Sequence, residues 1–116
     1  MLNLLKTAIL LLGAMILVDS ALAKSIPKFI KKSGTYEPVR GLLAKAGWKP
    51  IGTQLREEGS CDLTIDERCK TFPEARKCSG TGMAFCNMVW KHKDGTIIVI
   101  TTGGEGEAVI ISAKKQ

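Results

Sequence analysis

Four cysteines, Cys61, Cys69, Cys78 and Cys86, fall in the second half of a 116-residue chain that has no others. A chain this short buries a modest fraction of its surface and leans on cross-links for stability. How the cysteines are read depends on compartment, and the amino-terminal sequence speaks to that. Lys6 precedes an uncharged apolar run from Ala8 to Val18, and Asp19-Ser20 then leads into Ala21-Leu22-Ala23. A positive start, an apolar stretch and a small-x-small site are the order of a cleavable secretory signal, with cleavage after Ala23. The run is shorter than the ~20 apolar residues that span a bilayer. The expected organisation is a signal peptide over 1–23, a basic leader over 24–34 and one α+β domain over 35–116, in a periplasmic or secreted protein.

In an oxidising compartment, an even number of cysteines in a short chain reads as a disulfide framework. Three connectivities are open. The sequential pairs Cys61–Cys69 and Cys78–Cys86 close short loops and are the expected ones, each stabilising the fold by about 2–3 kcal/mol in the loop-entropy picture. A zinc site would use gaps of about two to four residues between paired ligands, and these gaps are longer. The C-x-x-C of a thioredoxin-type redox site is absent. The sequence therefore points to no metal, no cofactor and no catalytic residue.

The formal net charge is +6, and loss of Lys6 and Asp19 with the signal leaves it unchanged. Such a charge bears on association with anions and not on fold. Outside the cytoplasm the anions on offer are envelope components and acidic proteins, and nucleic acid is not the expected partner. The leader KSIPKFIKKSG concentrates part of the charge. Lys28, Lys31 and Lys32 flank Phe29 and Ile30, a composition suited at most to peripheral contact with an anionic membrane. Pro27 and Gly34 break any regular element there, so the leader is expected to be a flexible or loosely docked terminus.

The clearest helix follows. Glu37-Pro38 marks its start, with Pro38 at the first helical position, and Val39, Leu42, Leu43 and Ala46 repeat at the spacing of one apolar face. Gly47 ends it. Trp48-Lys49-Pro50-Ile51 reads as a short extended segment at a sheet edge, because proline cannot donate to a ladder. From Thr53 to Thr81 the pattern is irregular and acidic. It is expected to be a loop tied by the disulfides, with a short helix near Pro73.

The last third reads as a meander of strands at Ala84 to His92, Thr96 to Thr102 and Glu107 to Ala113. Asp94-Gly95 is the signature of a two-residue type I′ hairpin. That turn pairs His92 with Ile97, Trp90 with Val99 and Met88 with Thr101. One face then carries Met88, Trp90, Ile97 and Val99, and the other Phe85, Val89, Ile98 and Ile100. Both faces are apolar in this register, which is unusual for an antiparallel sheet and implies a cover on each. The expected fold is an N-terminal helix packed on a three- to four-stranded antiparallel meander stapled by two disulfides.

No catalytic constellation emerges. His92, the sole histidine, sits at a strand end among lysines and reads as a surface residue with no acid placed beside it. Glu57-Glu58 and Asp66-Glu67 are adjacent pairs whose side chains diverge, so they form no carboxylate dyad. Gly80-Thr81-Gly82 and Gly103-Gly104-Glu105-Gly106 lack the strand-to-helix setting of phosphate loops and read as turns. Tyr36 and Arg40, near the cysteine loop, could hold an anion.

The run Tyr36-Glu37-Pro38-Val39-Arg40 with Gly47-Trp48-Lys49-Pro50, then Cys78-Ser79-Gly80-Thr81-Gly82 with Cys86, then Asp94-Gly95 and Thr101-Thr102-Gly103, resembles a pattern in small exported proteobacterial proteins of unassigned function. The resemblance spans most of Tyr36 to Gly103 and implies compartment and approximate fold, but no activity. The order of helix and meander is also similar to small envelope domains of the outer-membrane assembly lipoprotein and β-lactamase-inhibitor class. Those carry two helices before the sheet, and the second is weak here. The function expected from the sequence is non-enzymatic binding of an envelope component or a protein. An inhibitor or immunity protein against a toxin or wall-degrading enzyme is one version, and a small enzyme with an unrecognised site is the rival. The expected contact residues are Lys28, Phe29, Lys31, Lys32, Tyr36, Arg40 and Trp90, with a homodimer as a further candidate assembly.

Overall fold

The computed structural model describes residues 24–61, 66–79, 82–104 and 106–116. The segment expected to be a signal peptide, 1–23, lies outside the described residues. Helix α1 (Tyr36–Lys45) is followed by strand β1 (Trp48–Pro50), a 3-10 turn (Thr53–Leu55), helix α2 (Glu67–Thr71) and strands β2 (Ala75–Cys78), β3 (Cys86–His92), β4 (Ile97–Gly103) and β5 (Val109–Lys115). The strands form one antiparallel five-stranded sheet. One side of β3 pairs with β4, which pairs with β5, and the other side of β3 is shared end to end by β1 and β2. No helix among the described residues is long and apolar enough to cross a membrane.

This is the α+β fold the sequence implies, with five strands where three to four are expected. β1 is the Trp48-Lys49-Pro50 segment, at the sheet edge as its proline requires. β2 arises within the stretch read as loop, where the cross-strand pair Cys78↔Cys86 anchors it. The helix expected near Pro73 forms earlier instead, because Asp66 caps it by accepting the Arg68 backbone N–H at 3.0 Å. Both sequential disulfides are present, Cys61–Cys69 and Cys78–Cys86.

α1 begins two residues ahead of its expected start, with Thr35 as N-cap. Its buried face is Tyr36, Val39 and Leu43, while Leu42, expected on that face, is 43% exposed. The face rotated because Tyr36, at the very start, is the residue drawn into the core. Gly47 follows the helix with φ +91°, the left-handed C′ position at which glycine carries no Cβ penalty.

The hairpin register differs from the expected one by a single residue. Lys91 pairs with Ile97, Trp90 with Ile98, Val89 with Val99 and Met88 with Ile100. Among the non-glycine residues of the turn none has positive φ, whereas Gly95 has φ +97°, and the Gly95 N–H donates to the His92 carbonyl. Asp94-Gly95 thus closes a three-residue loop with glycine in the left-handed position, not a type I′ turn. Asp94 supports it by accepting the Thr96 N–H at 2.9 Å. A one-residue slip moves side chains to the opposite face. Met88, Trp90, Ile98 and Ile100 therefore share one fully buried face with α1, Trp48, Phe72 and Ile110. Both faces are not equally apolar, and the second is mixed.

The leader docks on the core. Ile26, Phe29 and Ile30 pack half-buried on the core, and the Ser33 N–H donates to the Ile110 carbonyl while the Ile110 N–H donates to Gly34. Lys28, Lys31 and Lys32 remain exposed.

Candidate functional site

Two polar assemblies stand out, one inside and one outside. The inner one is built on Glu74, which is 0% exposed. Its carboxylate accepts the Tyr36 hydroxyl at 2.8 Å, Arg40 Nε at 2.5 Å and Arg40 Nη2 at 3.3 Å. Trp90 Nε1 in turn donates to the Tyr36 oxygen at 2.9 Å. Tyr36 and Arg40 reach one acceptor because they lie four residues apart on α1. The Arg40 guanidinium also stacks 4.4 Å above the Phe72 ring. Burial and the adjacent Glu74 charge push the Tyr36 phenol far above its ordinary pKa, so it stays protonated and cannot serve as a base. Burial works against the Arg40 charge, but the hydrogen bond and charge of Glu74 outweigh it and raise its pKa. Among the described residues no buried side-chain donor or acceptor lacks a partner.

The anion that Tyr36 and Arg40 hold is therefore the chain's own Glu74. Tyr36 and Trp90 lie in the core and Phe29 packs against it, so the residues expected as partner contacts are not gathered on one surface. Glu74 escaped sequence reading because it follows Pro73 in an acidic, irregular stretch. The available signal was the Tyr36 and Arg40 pair on one helix face, which called for an acid opposite.

His92 is likewise inside, 4% exposed, edge-on to Trp48 at 5.1 Å between ring centres. Asp94 Oδ1 lies 3.4 Å from its Nδ1, so the surface reading without a nearby acid does not hold. His92 follows Met88 and Trp90 on the same face of β3, the core face, and the loop brings Asp94 back to it.

A second ion pair fixes the cysteine loop. Arg68 binds both Asp66 oxygens, Nε to Oδ1 at 2.9 Å and Nη2 to Oδ2 at 2.6 Å, and also reaches the carbonyls of Ser79 and Ala84. The Arg68 hydrogen bond, ahead of the opposing effect of burial, holds the Asp66 carboxyl below the usual carboxylate range. A carboxyl with a lowered folded pKa stabilises the fold above its unfolded pKa of about 3.9, and that contribution disappears as pH falls through the folded value. Asp66→Asn retains a capping oxygen but not the charge. Urea midpoints should place the parent above Asp66→Asn near neutral pH, with the gap closing below about pH 4. A gap that does not vary with pH would show that the Arg68 pairing contributes nothing.

The outer assembly is the sheet face turned away from α1. Directly paired residues share a face, so the register lays out its rows. Lys49, Lys91 and Ile97 form one, Val89, Val99 and Lys114 the next, and Asn87, Thr101 and Ser112 the third. Phe85 and Ile111 meet over Gly103 at the far end. Val89 is buried, Ile97, Val99 and Ile111 are half-buried, and Phe85 is exposed. Lys49, Lys91 and Lys93 line a shallow depression of about 180 Å³ with Gly47, Ile51 and His92. Lys49 and Lys91 are direct cross-strand partners, an arrangement of like charges that weakens a sheet. Among the described residues, Lys49, Lys91, Lys93 and Lys114 have no ion-pair partner.

The sulfur atoms of Cys61, Cys69 and Cys78 lie within 4.8 Å of one another. That is close enough to suggest metal ligation, but all four cysteines are held in disulfides, which do not ligate as thiolates do. Comparison of the chain with protein-family models, with curated proteins and with solved structures finds no match.

Proposed function

We propose that this is an exported, non-enzymatic binding protein that engages an acidic protein surface through the open face of its sheet. The observation that carries this reading is the unneutralised Lys49 and Lys91 pair, joined by Lys93 and Lys114, on a face where Ile97, Val99 and Ile111 are half-buried and Phe85 is exposed. Like charges set directly opposite cost stability in the free protein, and a carboxylate-bearing partner would relieve that cost. A protein partner fits better than a bilayer. The third row, Asn87, Thr101 and Ser112, is polar and suits the hydrogen-bonded contacts of a protein interface, whereas insertion into lipid would strand it. The inner network supports this reading by being closed: its donors and acceptors are spent on one another.

The test uses a fluorescent glutamate-rich peptide, phosphatidylglycerol vesicles and neutral vesicles. The peptide should bind at low salt and weaken as ionic strength rises through about 0.15 M, where the Debye length is about 8 Å. Charge reversal at Lys49, Lys91 and Lys93 together should weaken binding roughly tenfold or more, while reversal at Lys28, Lys31 and Lys32 should leave it near the parent value. Binding lost with the leader lysines instead, binding to anionic vesicles alone, or no binding at all would each overturn the proposal.

A further inference from the structure

The two disulfides lie against each other. Sγ of Cys78 is within 4.8 Å of both sulfurs of the Cys61–Cys69 bridge, so Cys78 is presented to the other bridge across little more than a van der Waals gap. Cys61 and Cys78 are half-buried, while Cys69 and Cys86 are buried. One residue of each bridge is thus partly exposed to solvent. Arg56 adds a fixed cation beside them. Its Nη2 donates to the Cys69 carbonyl at 2.8 Å and its Nε to the Ala75 carbonyl at 2.7 Å, and Cys61 Sγ lies 4.0 Å from that same Ala75 oxygen. A neighbouring guanidinium favours thiolate over thiol.

We propose that the four cysteines form one thiol-exchange site, at which a small thiol or the thiol of a dithiol protein moves the cross-link from one position to another. The step balances as follows. An external thiolate attacks Cys61 Sγ, forms a mixed disulfide there, breaks the Cys61–Cys69 bond and releases Cys69 as thiolate. The Cys69 thiolate attacks Cys78 Sγ, forms a Cys69–Cys78 bond, breaks the Cys78–Cys86 bond and releases Cys86 as thiolate, which takes a proton from water. Two disulfides and one thiol exist before and after, the proton gained by Cys86 balancing the one the external thiol gave up to water, and no net oxidation occurs. The cross-link that joined β2 to β3 now joins α2 to β2, and the start of β3 carries a free thiol.

Cys61→Ser isolates the second step, because it leaves Cys69 free beside the intact Cys78–Cys86 bridge. The purified variant is held at mildly alkaline pH, quenched with acid, alkylated and mapped by peptide mass spectrometry. The expected result is a Cys69–Cys78 linkage with alkylated Cys86, exceeding any Cys69–Cys86 linkage roughly tenfold or more, since proximity makes the exchange intramolecular and selective. In parallel, the unaltered protein is treated with substoichiometric glutathione and mapped in the same way. It should yield glutathione on Cys61 together with the Cys69–Cys78 linkage. Recovery of only the native pairs in both experiments would overturn the proposal. Equal amounts of the Cys69–Cys78 and Cys69–Cys86 linkages would also overturn it, since that is the signature of scrambling in an unfolded chain.

Discussion

Glu74→Ala should cost about 3–5 kcal/mol, the range for removing one partner of a buried ion pair, and lower the urea midpoint without changing the slope. Among the described residues the carboxylate is the sole acceptor for the Tyr36 hydroxyl, and the main one for Arg40, whose other acceptor is the exposed Glu37 at 3.4 Å. Deleting it strands a phenol in the core and a guanidinium with 24% of its side chain exposed. It also leaves Tyr36 as an acceptor for Trp90 with nothing to receive its own proton. Glu74→Gln, which keeps the volume and one acceptor oxygen, should cost less, about 1–3 kcal/mol. A small domain has about 5–15 kcal/mol in total, so the alanine variant should be largely unfolded in moderate urea while the glutamine variant is not. A Glu74→Ala midpoint within error of the parent would mean the network is ornamental.

Gly52→Ala should be as damaging by a different route. A Cβ at position 52 would lie 1.9 Å from the Glu74 carbonyl oxygen and 2.2 Å from its carbon. These are backbone atoms, and that oxygen already accepts the Val89 N–H at 2.8 Å, so the neighbour cannot give way cheaply. The φ of Gly52 is −58°, which any residue adopts. The glycine is there for close approach and not for conformational freedom. Overpacking costs about 1–3 kcal/mol, occasionally more, and a collision with hydrogen-bonded backbone belongs at or above the top of that range. Gly41→Ala is the matched control. It sits inside α1 with nothing within 4 Å of a new Cβ, and should stabilise by about 0.5–1 kcal/mol. Thermal melts of the two variants should therefore move in opposite directions. A Gly52→Ala melt at or above the parent's would show that the loop carrying residue 52 repacks freely.

The elements with strong local grammar were legible in the sequence: α1 with its terminal Gly47, the edge segment at Pro50, the three long strands and the sequential disulfides. The register was not, for a reason visible in β4. Ile97-Ile98-Val99-Ile100 is apolar at every position, so the hydrophobic pattern selects neither face, and Asp-Gly serves two-residue and three-residue hairpin loops alike. One residue of slip then placed Ile98 and Ile100 on the face opposite Met88 and Trp90, where they do not lie. β2 was hidden because Ala75-Arg76-Lys77-Cys78 is short and charged, and gains its strand character from pairing with β3 and the bridge to Cys86. Glu74 could not be identified from composition, since a buried acid and a solvated one have the same letter. What distinguishes it is three donors arriving from residues distant in sequence.

The docked leader has a consequence for self-association. Among the described strands β5 pairs only with β4, and its outer side would present an unpaired ladder, the kind of template that invites edge-to-edge stacking of sheets. The first half of that side is occupied by the chain itself, through the Ser33 and Gly34 bonds to Ile110 and the Thr35↔Val109 bridge. The second half ends in the exposed Lys114 and Lys115, whose charges oppose a second sheet. At the opposite margin, β1 is three residues long and contains Pro50. A segment that the sequence offers as a cationic contact thus behaves as a fragment of a sixth strand. The colloidal behaviour of this fold thus depends in part on residues that precede its first helix.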